Sequence, residues 1–199
     1  MFCWLLFNIN FIRVKHLYVL NKKLNYTKLN NCSFVQETLS NCEIRKFLIY
    51  LSSLKDTKYK EGGNNPKEGL DCSGLIVYIY NELGYRWFRD SLSLVTDVSA
   101  DVLYHFNVKK IQNIKQLKPG DLIFFYANNE KIIEHVSVFI RKDKKNSFWV
   151  MDATDYPDGR IVKKVSYRKI YNFYKKHPLF GRPLKTIKNI SLWDYLNFP

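Results

Sequence analysis

The order of the apolar patterns constrains the fold most, because helical patterns come first and strand patterns follow. Apolar residues recur three or four positions apart over 42–54, which is typical of an amphipathic helix with Asn41 as its N-cap. The same spacing predicts a second helix over 72–83, and Gly84 follows it where a C-terminal cap belongs. Turn-forming residues fill the loop 55–70 between the two helices.

The strand patterns begin after Lys118-Pro119-Gly120-Asp121, a turn signal. Runs rich in β-branched and aromatic residues predict strands over 122–126, 134–140, 147–153, 160–166 and 179–184. Short helices are expected near 98–105 and 168–175. Helices followed by successive strands predict an α+β fold, with N-terminal helices packed on a central antiparallel β-sheet.

The length of 199 residues favours one domain, which we place over 41–199, preceded by an extension over 1–40. The first twelve residues are apolar, but no basic residue precedes them and no small-residue cleavage site follows, so they make a weak signal peptide. A peripheral anchor and a packed extension remain open for this segment. Its apolar run is shorter than the roughly 18–20 residues that span a bilayer, so no integral membrane span is expected.

The chain is strongly basic, with 32 Lys and Arg against 18 Asp and Glu and a formal net charge of +14. Such a chain is attracted to polyanions, which include nucleic acid, anionic lipid and acidic cell-wall polymers. A biased composition with a well-solvated surface explains the charge equally well. The 14 Tyr, 14 Phe and 4 Trp exclude a disordered chain.

The four cysteines are Cys3, Cys32, Cys42 and Cys72. They form no C-x-x-C pair and have no histidine at ligand spacing, so a structural zinc site is not expected. A disulfide between Cys32 and Cys42 stays open if the protein is exported.

Cys72 lies in Asp71-Cys72-Ser73-Gly74, at the first turn of the second predicted helix. The positive end of the helix dipole and the unpaired backbone N–H groups there favour a thiolate. The alternative is a small buried apolar cysteine, as most free cysteines are.

His135 is the histidine best placed to act as a base. It opens an alternating strand in which His135, Ser137 and Phe139 point to one side of the sheet. A histidine on a strand has the fixed orientation that a general base requires. The alternative is a strand residue that faces solvent.

The strand pairing indicates a partner for this histidine. A symmetric hairpin around the charged turn 141–146 pairs Phe139 with Phe148 and His135 with Asp152. Asp152 would then accept the ring N–H, fix the tautomer and stabilise the imidazolium. A slip of one residue would separate the two side chains.

Cys72, His135 and Asp152 together have the residue types of nucleophile, base and orienting acid in thiol-dependent acyl transfer. This chemistry also needs donors to the developing oxyanion. The backbone N–H groups near Cys72 and the hydroxyl of Tyr59 are the candidates.

These residues resemble the NlpC/P60 peptidases, papain-like enzymes that cleave peptidoglycan stem peptides. The resemblance covers 42–184 and carries five motifs in the family's order. They are Tyr59-Lys60-Glu61-Gly62-Gly63, Asp71-Cys72-Ser73-Gly74-Leu75-Ile76, the segment from Leu117 to Phe125, the segment from His135 to Ile140, and Met151-Asp152-Ala153.

The resemblance implies a papain-like fold with Cys72 as nucleophile, His135 as base and Asp152 as third member, where the family often has histidine. By the same resemblance Tyr59 assists catalysis, and Asp71 and Ser73 border the stem-peptide site. Helix capping is the other interpretation of Asp71 and Ser73, and one residue can do both. Glu61 departs from the family pattern, which usually has an aromatic residue at that position.

The activity that the resemblance implies is hydrolysis of the bond between D-glutamate and a diamino acid, with no metal or organic cofactor. The expected partner is a peptidoglycan stem peptide or muropeptide, and we expect a monomer that binds no nucleic acid. Such a substrate predicts a site of action in the cell envelope or outside the cell, while recycling of muropeptides in the cytoplasm stays open.

Two other function classes stay open. The same thiol chemistry serves an amidase, deamidase or acyltransferase that acts on another substrate. A non-enzymatic module that binds cell wall or nucleic acid would use the basic and aromatic residues of 167–176, which we interpret mainly as a helix with a solvated basic face.

Overall fold

The computed structural model describes residues 37–127, 132–143, 147–155, 162–170 and 177–188. The first helix, α1, is Asn41–Ser53, as the apolar spacing predicts. The prediction of Asn41 as N-cap is wrong, because Ser40 caps the helix and forms a capping box with Glu43. The spacing of Phe47 and Leu51 puts both on one face of α1, which is buried.

The second helix, α2, is Cys72–Glu82. Asp71 is its N-cap, and Gly84 follows its C-cap with a φ of +85°, the left-handed conformation that ends many helices. Six of its residues are buried, so α2 is the central helix of the core. A shorter helix, α3, is Ala100–Phe106, near the predicted 98–105.

Short strands occur where the sequence predicts only loops. A two-stranded hairpin of β1 (Asn64–Asn65) and β2 (Gly69–Leu70) lies within 55–70. Three more strands lie between α2 and residue 117: β3 (Tyr85–Asp90), β4 (Ser93–Val95) and β5 (Val108–Lys110). Pairing with distant segments stabilises β3 and β5, which the local sequence does not reveal.

The five strands predicted after residue 121 are present in the predicted order. They are β6 (Leu122–Tyr126), β7 (Ile133–Lys142), β8 (Phe148–Thr154), β9 (Lys164–Ile170) and β10 (Leu179–Pro183). A further short strand, β11 (Ile187–Lys188), was not among the predictions. Six strands form one antiparallel sheet in the order β5-β10-β6-β7-β8-β9. A second sheet has the order β11-β3-β4. The predicted α+β class with a central antiparallel sheet is therefore confirmed.

The strand β9 corrects two predictions. It begins at Lys164, four residues after the start of the predicted strand 160–166, and it includes 168–170, where a helix was predicted. All seven residues of β9 pair with β8, so this cross-strand pairing prevails over the helical spacing. The rest of the predicted helix, 171–175, lies outside the described residues.

Apolar residues pack on both faces of the six-stranded sheet. The larger cluster joins the three helices to Phe124, Val136 and Val138. The smaller cluster includes Phe139 and Val150 on the other face. Val136 and Val138 thus face one side of the sheet and Phe139 faces the other, which confirms the alternation predicted for this strand.

Within the described residues, no helix has both the length and the apolar character needed to cross a bilayer. Residues 1–36 lie outside the described part of the chain, and the division into an extension and a domain stays a prediction.

Candidate active site

The N-terminus of α2 positions the candidate thiol. Cys72 is the first residue of the helix, and Asp71 immediately before it is the N-cap. One carboxylate oxygen of Asp71 accepts from the backbone N–H of Gly74 at 2.6 Å and from the hydroxyl of Ser73 at 3.1 Å. The capping interpretation of Asp71 is thus confirmed. The expected contact of Asp71 and Ser73 with substrate stays a prediction.

A close contact between α2 and the hairpin before it sets the position of the helix start. A Cβ added to Gly74 would lie 2.0 Å from the carbonyl oxygen of Gly63, so only glycine fits between the helix and the loop. The backbone N–H of Asp71 also donates to that carbonyl at 2.8 Å. Gly63 of the loop and Gly74 of α2 therefore allow the loop to lie against the start of the helix.

His135 lies near the start of β7, beside the start of α2. Its side chain is about a quarter exposed. The thiol of Cys72 lies close enough to His135 to raise the pKa of the imidazole. The thiol of Cys72 also lies 3.6 Å from the carbonyl oxygen of Glu134, the residue before His135. The predicted thiol and imidazole are therefore adjacent, although 62 residues separate Cys72 from Glu134 along the chain.

Asp152 lies on β8 with its side chain fully buried. Its Oδ2 is 2.8 Å from Nε2 of His135. Because an ionised carboxylate only accepts hydrogen bonds, Nε2 must carry the proton and donate it. The structure thus brings together all three residues for which the sequence predicts the chemistry.

The strand register that predicted this contact is wrong by two residues. Phe139 pairs with Val150 instead of Phe148, and a bulge follows between Phe139 and Arg141. A shift of two residues leaves every side chain on the same face of the sheet. His135 therefore reaches Asp152 diagonally across the strands and not from the directly opposite position.

Two further residues bind Asp152, and the sequence-based argument missed both. The hydroxyl of Ser137 donates to Oδ2 of Asp152 at 2.5 Å, and it also lies 3.2 Å from Nε2 of His135. Arg168 donates from Nε to Oδ1 at 2.9 Å and from Nη2 to Oδ2 at 2.6 Å. Strand alternation places Ser137 beside His135, so that contact was within reach of the sequence. The contact of Arg168 depends on strand β9, where a helix was predicted.

The electrostatics of the group favour the charged forms of His135 and Asp152. Burial alone lowers the pKa of His135, but its bonds to Asp152 and Cys72 outweigh this effect, so the pKa lies above its ordinary value of 6.5. Burial alone raises the pKa of Asp152. The positive charge of Arg168 and the bond from His135 outweigh burial, so the pKa of Asp152 lies well below its usual range.

Tyr59 lies close enough to Cys72 to be affected by its charge. Burial raises the pKa of Tyr59 to about 12, with smaller contributions from the negative charges of Cys72 and Asp155. The backbone of Tyr59 bridges to Leu70, two residues before Cys72. The phenol is therefore a protonated hydrogen-bond donor at neutral pH.

The other cysteine of the described chain gives a useful contrast. Cys42 is a free thiol in the first turn of α1 and is exposed. Cys32, its candidate disulfide partner, lies outside the described residues. Both Cys42 and Cys72 thus lie at helix N-termini, but it is Cys72 that lies beside His135.

The arrangement has the parts that thiol-dependent acyl transfer needs. It places a thiol beside an imidazole that a buried carboxylate orients, and it adds a phenol near the thiol. Within the described ranges, no three His, Cys, Asp or Glu side chains form a group that could hold a metal ion.

Comparison with known proteins places this site in a family. A family model described as the NlpC/P60 family matches residues 56–181. The probable endopeptidase YafL of Escherichia coli (strain K12) is 33% identical over 82 residues, which are 41% of this chain and 30% of that protein. The murein DD-endopeptidase MepH of the same organism is 31% identical over 86 residues, which are 43% of this chain and 29% of that protein. The matches thus span less than a third of either relative.

The fold agrees with this comparison. The crystal structure of a Staphylococcus aureus protein of the NLP/P60 family, described as similar to lipoprotein, matches with a TM-score of 0.52 and 22% identity. The match covers 79% of this chain and 46% of the other. Since the family model matches more than half of the residues, the chain belongs to the NlpC/P60 family.

Proposed function

We propose that this protein is a cysteine peptidase that hydrolyses peptidoglycan stem peptides at the bond between D-glutamate and a diamino acid. The position of the Cys72 thiol beside His135, whose Nε2 is bonded to the buried Asp152, carries the proposal. This geometry supplies a nucleophile, a base and an orienting carboxylate at one place.

In the first step His135 holds the proton of Cys72, and the thiolate attacks the carbonyl carbon of the scissile amide. The backbone N–H of Cys72 lies in the first helical turn, where the helix offers no acceptor, and can donate to the oxyanion. The hydroxyl of Tyr59 is the second proposed donor. When the carbon–nitrogen bond breaks, His135 passes its proton to the departing amine and leaves a thioester on Cys72.

In the second step water resolves the thioester. His135 takes a proton from the water as its oxygen attacks the carbonyl carbon. The carbon–sulfur bond breaks, and the D-glutamate end of the stem leaves as a carboxylic acid. The proton returns to the sulfur, so the thiol and the imidazole are restored.

The substrate class is inferred from the family and from charge. The relative MepH is described as a murein endopeptidase. The net charge of +14 would attract an anionic wall polymer. We therefore also propose a site of action in the cell envelope or outside the cell, where such a substrate occurs.

The test uses purified protein, muropeptides of known sequence and mass spectrometry of the products. We expect the wild type to release a fragment that ends in D-glutamate and Cys72→Ala to release none. Cys42→Ala is the matched control, because Cys42 is also a free thiol in the first turn of a helix. We expect this variant to cleave at the wild-type rate.

Other outcomes would exclude the proposal. If Cys72 is alkylated rapidly at neutral pH while every muropeptide stays intact, the site acts in acyl transfer on another substrate. If Cys72 is inert and the protein binds polyanions in a salt-sensitive way, the chain is a binding module.

A further inference from the structure

Arg168 holds the carboxylate that orients the imidazole. Its guanidinium makes two bonds to Asp152, from Nε to Oδ1 at 2.9 Å and from Nη2 to Oδ2 at 2.6 Å. The Asp152 side chain is fully buried and that of Arg168 is 16% exposed, so solvent screens this pair little. We propose that Arg168 is a positioning residue of the site, which acts through Asp152 on His135 and Cys72. The inference deepens the proposed function and rests on it.

The first step of the argument is geometric. Two parallel bonds from a planar guanidinium fix the plane of a carboxylate, which one bond from a lysine cannot do. Arg168 lies opposite Val150 on β8, so it reaches Asp152 diagonally from the neighbouring strand. With its plane fixed, Oδ2 of Asp152 faces Nε2 of His135 and the hydroxyl of Ser137.

The second step concerns charge. Among the described residues, the ionisable groups that act on the imidazole are Cys72 on α2 and Asp152 on β8, and Arg168 on β9 lies behind Asp152. When Cys72 is a thiolate and His135 an imidazolium, these four groups carry two positive and two negative charges. Without Arg168, the fully buried Asp152 would protonate more readily. A protonated carboxyl would stabilise the imidazolium less, and the thiolate would lose its counterion.

A second arginine–aspartate pair serves as a control, because it can stabilise the fold without positioning the imidazole. Arg182 on β10 binds Asp121 from Nε to Oδ1 at 2.9 Å and from Nη2 to Oδ2 at 3.0 Å. Asp121 precedes β6, at the end opposite to Phe125, which pairs with His135. The Arg182–Asp121 pair therefore has the same chemistry and does not contact the imidazole.

The test compares Arg168→Met, Arg168→Lys and Arg182→Met in the full chain. The first measurement is the pH dependence of iodoacetamide alkylation at Cys72, read by mass spectrometry of its peptide, with Cys42 as reference thiol. This measurement needs no substrate. The second measurement is kcat and KM on the muropeptide that the wild type cleaves.

We expect Arg168→Met to move the acid limb of Cys72 alkylation to higher pH and leave Cys42 unchanged. The kcat should fall about 100-fold with little change in KM, because a small misplacement of a reacting group has that cost. Arg168→Lys keeps the positive charge but cannot make two parallel bonds to the carboxylate. Its Cys72 alkylation profile should therefore lie between those of Arg168→Met and the wild type. Arg182→Met should lower thermal stability and leave both the profile and kcat as in the wild type.

The inference would be overturned if Arg168→Met and Arg182→Met had the same Cys72 alkylation profile. It would also be overturned if Arg168→Lys had both the alkylation profile and the kcat of the wild type. If Cys72 alkylation depends on Arg168 while no muropeptide is cleaved, the positioning role is supported and the proposed function fails. The two proposals can therefore fail separately. If Arg168→Met does not fold, the lysine variant alone decides between these outcomes.

Discussion

Nε2 of His135 lies 2.8 Å from Oδ2 of Asp152, although the two residues are not opposite each other in the strand pairing. With Val138 opposite Met151, the residue that follows Met151 on β8 lies beside Ser137. The Ser137 hydroxyl and the imidazole therefore share the same carboxylate oxygen. The orientation of the imidazole depends on a cluster of bonds rather than on a single pair.

The first prediction concerns Asp152→Asn. An amide can donate to Nε2 and thereby favour the wrong tautomer of His135, so we expect Cys72-dependent turnover to fall by about 10³-fold or more. The substitution also removes the carboxylate that Arg168 binds at two atoms, which should lower the free energy of unfolding by about 3 kcal/mol. Muropeptide turnover and urea denaturation measure the two effects.

Asp121→Asn is the matched control for this variant, since Arg182 also binds Asp121 through two parallel hydrogen bonds. It should lose stability and keep turnover. Equal turnover in the two variants would contradict the role of Asp152.

The main elements of the fold could be predicted because their signals are local. The spacing of apolar residues predicts α1 and α2, and runs rich in β-branched and aromatic residues predict β6, β7 and β8. The strand β5 pairs with β10, some 70 residues away, and β3 pairs with β11. Three charged side chains among the six residues of β3 hide its strand character, so its pairing partners are needed to reveal it.

The site could be predicted in part for the same reason. Cys72 follows a helix cap and His135 opens an alternating strand, which are local signals. The bulge after Phe139 left no mark in the sequence, so the predicted register was wrong although the face was right. The sequence pattern around Arg168 predicts a helix. The pairing of β9 with β8, which places Arg168 beside Asp152, therefore could not be predicted from it.

The second prediction concerns stability against pH. The pKa of His135 is raised on folding, so its contribution to stability is complete below the unfolded value of 6.5 and is lost as the pH rises toward the folded value. We therefore expect the unfolding free energy of the wild type to exceed that of His135→Gln most at pH 6. The difference should shrink steadily at higher pH. If urea denaturation showed that this difference grows above neutral pH, the predicted direction of the pH dependence would be wrong.

The third prediction concerns Tyr59→Phe. The pKa of Tyr59 is raised to about 12, so the phenol keeps its proton through the working pH range and can donate to an oxyanion. Loss of the hydroxyl should lower kcat about 100-fold with little change in thermal stability. Tyr167→Phe is the control, because Tyr167 is 40% exposed and binds Arg141 on the sheet. Unchanged kcat in Tyr59→Phe would remove the phenol from the mechanism.

The last prediction concerns Gly74→Ala. In an exposed helix this change would stabilise by about 1 kcal/mol, since alanine is the better helix former. Here the new Cβ would lie 2.0 Å from the carbonyl oxygen of Gly63, a backbone atom that cannot swing away. The hairpin must move off the start of α2, which should cost about 1–3 kcal/mol and displace Cys72 from His135. Thermal unfolding and turnover should therefore both fall, whereas Asn81→Ala on the exposed side of α2 should leave both unchanged. A Gly74→Ala protein as stable and active as the wild type would show that the contact between loop and helix does not position the thiol.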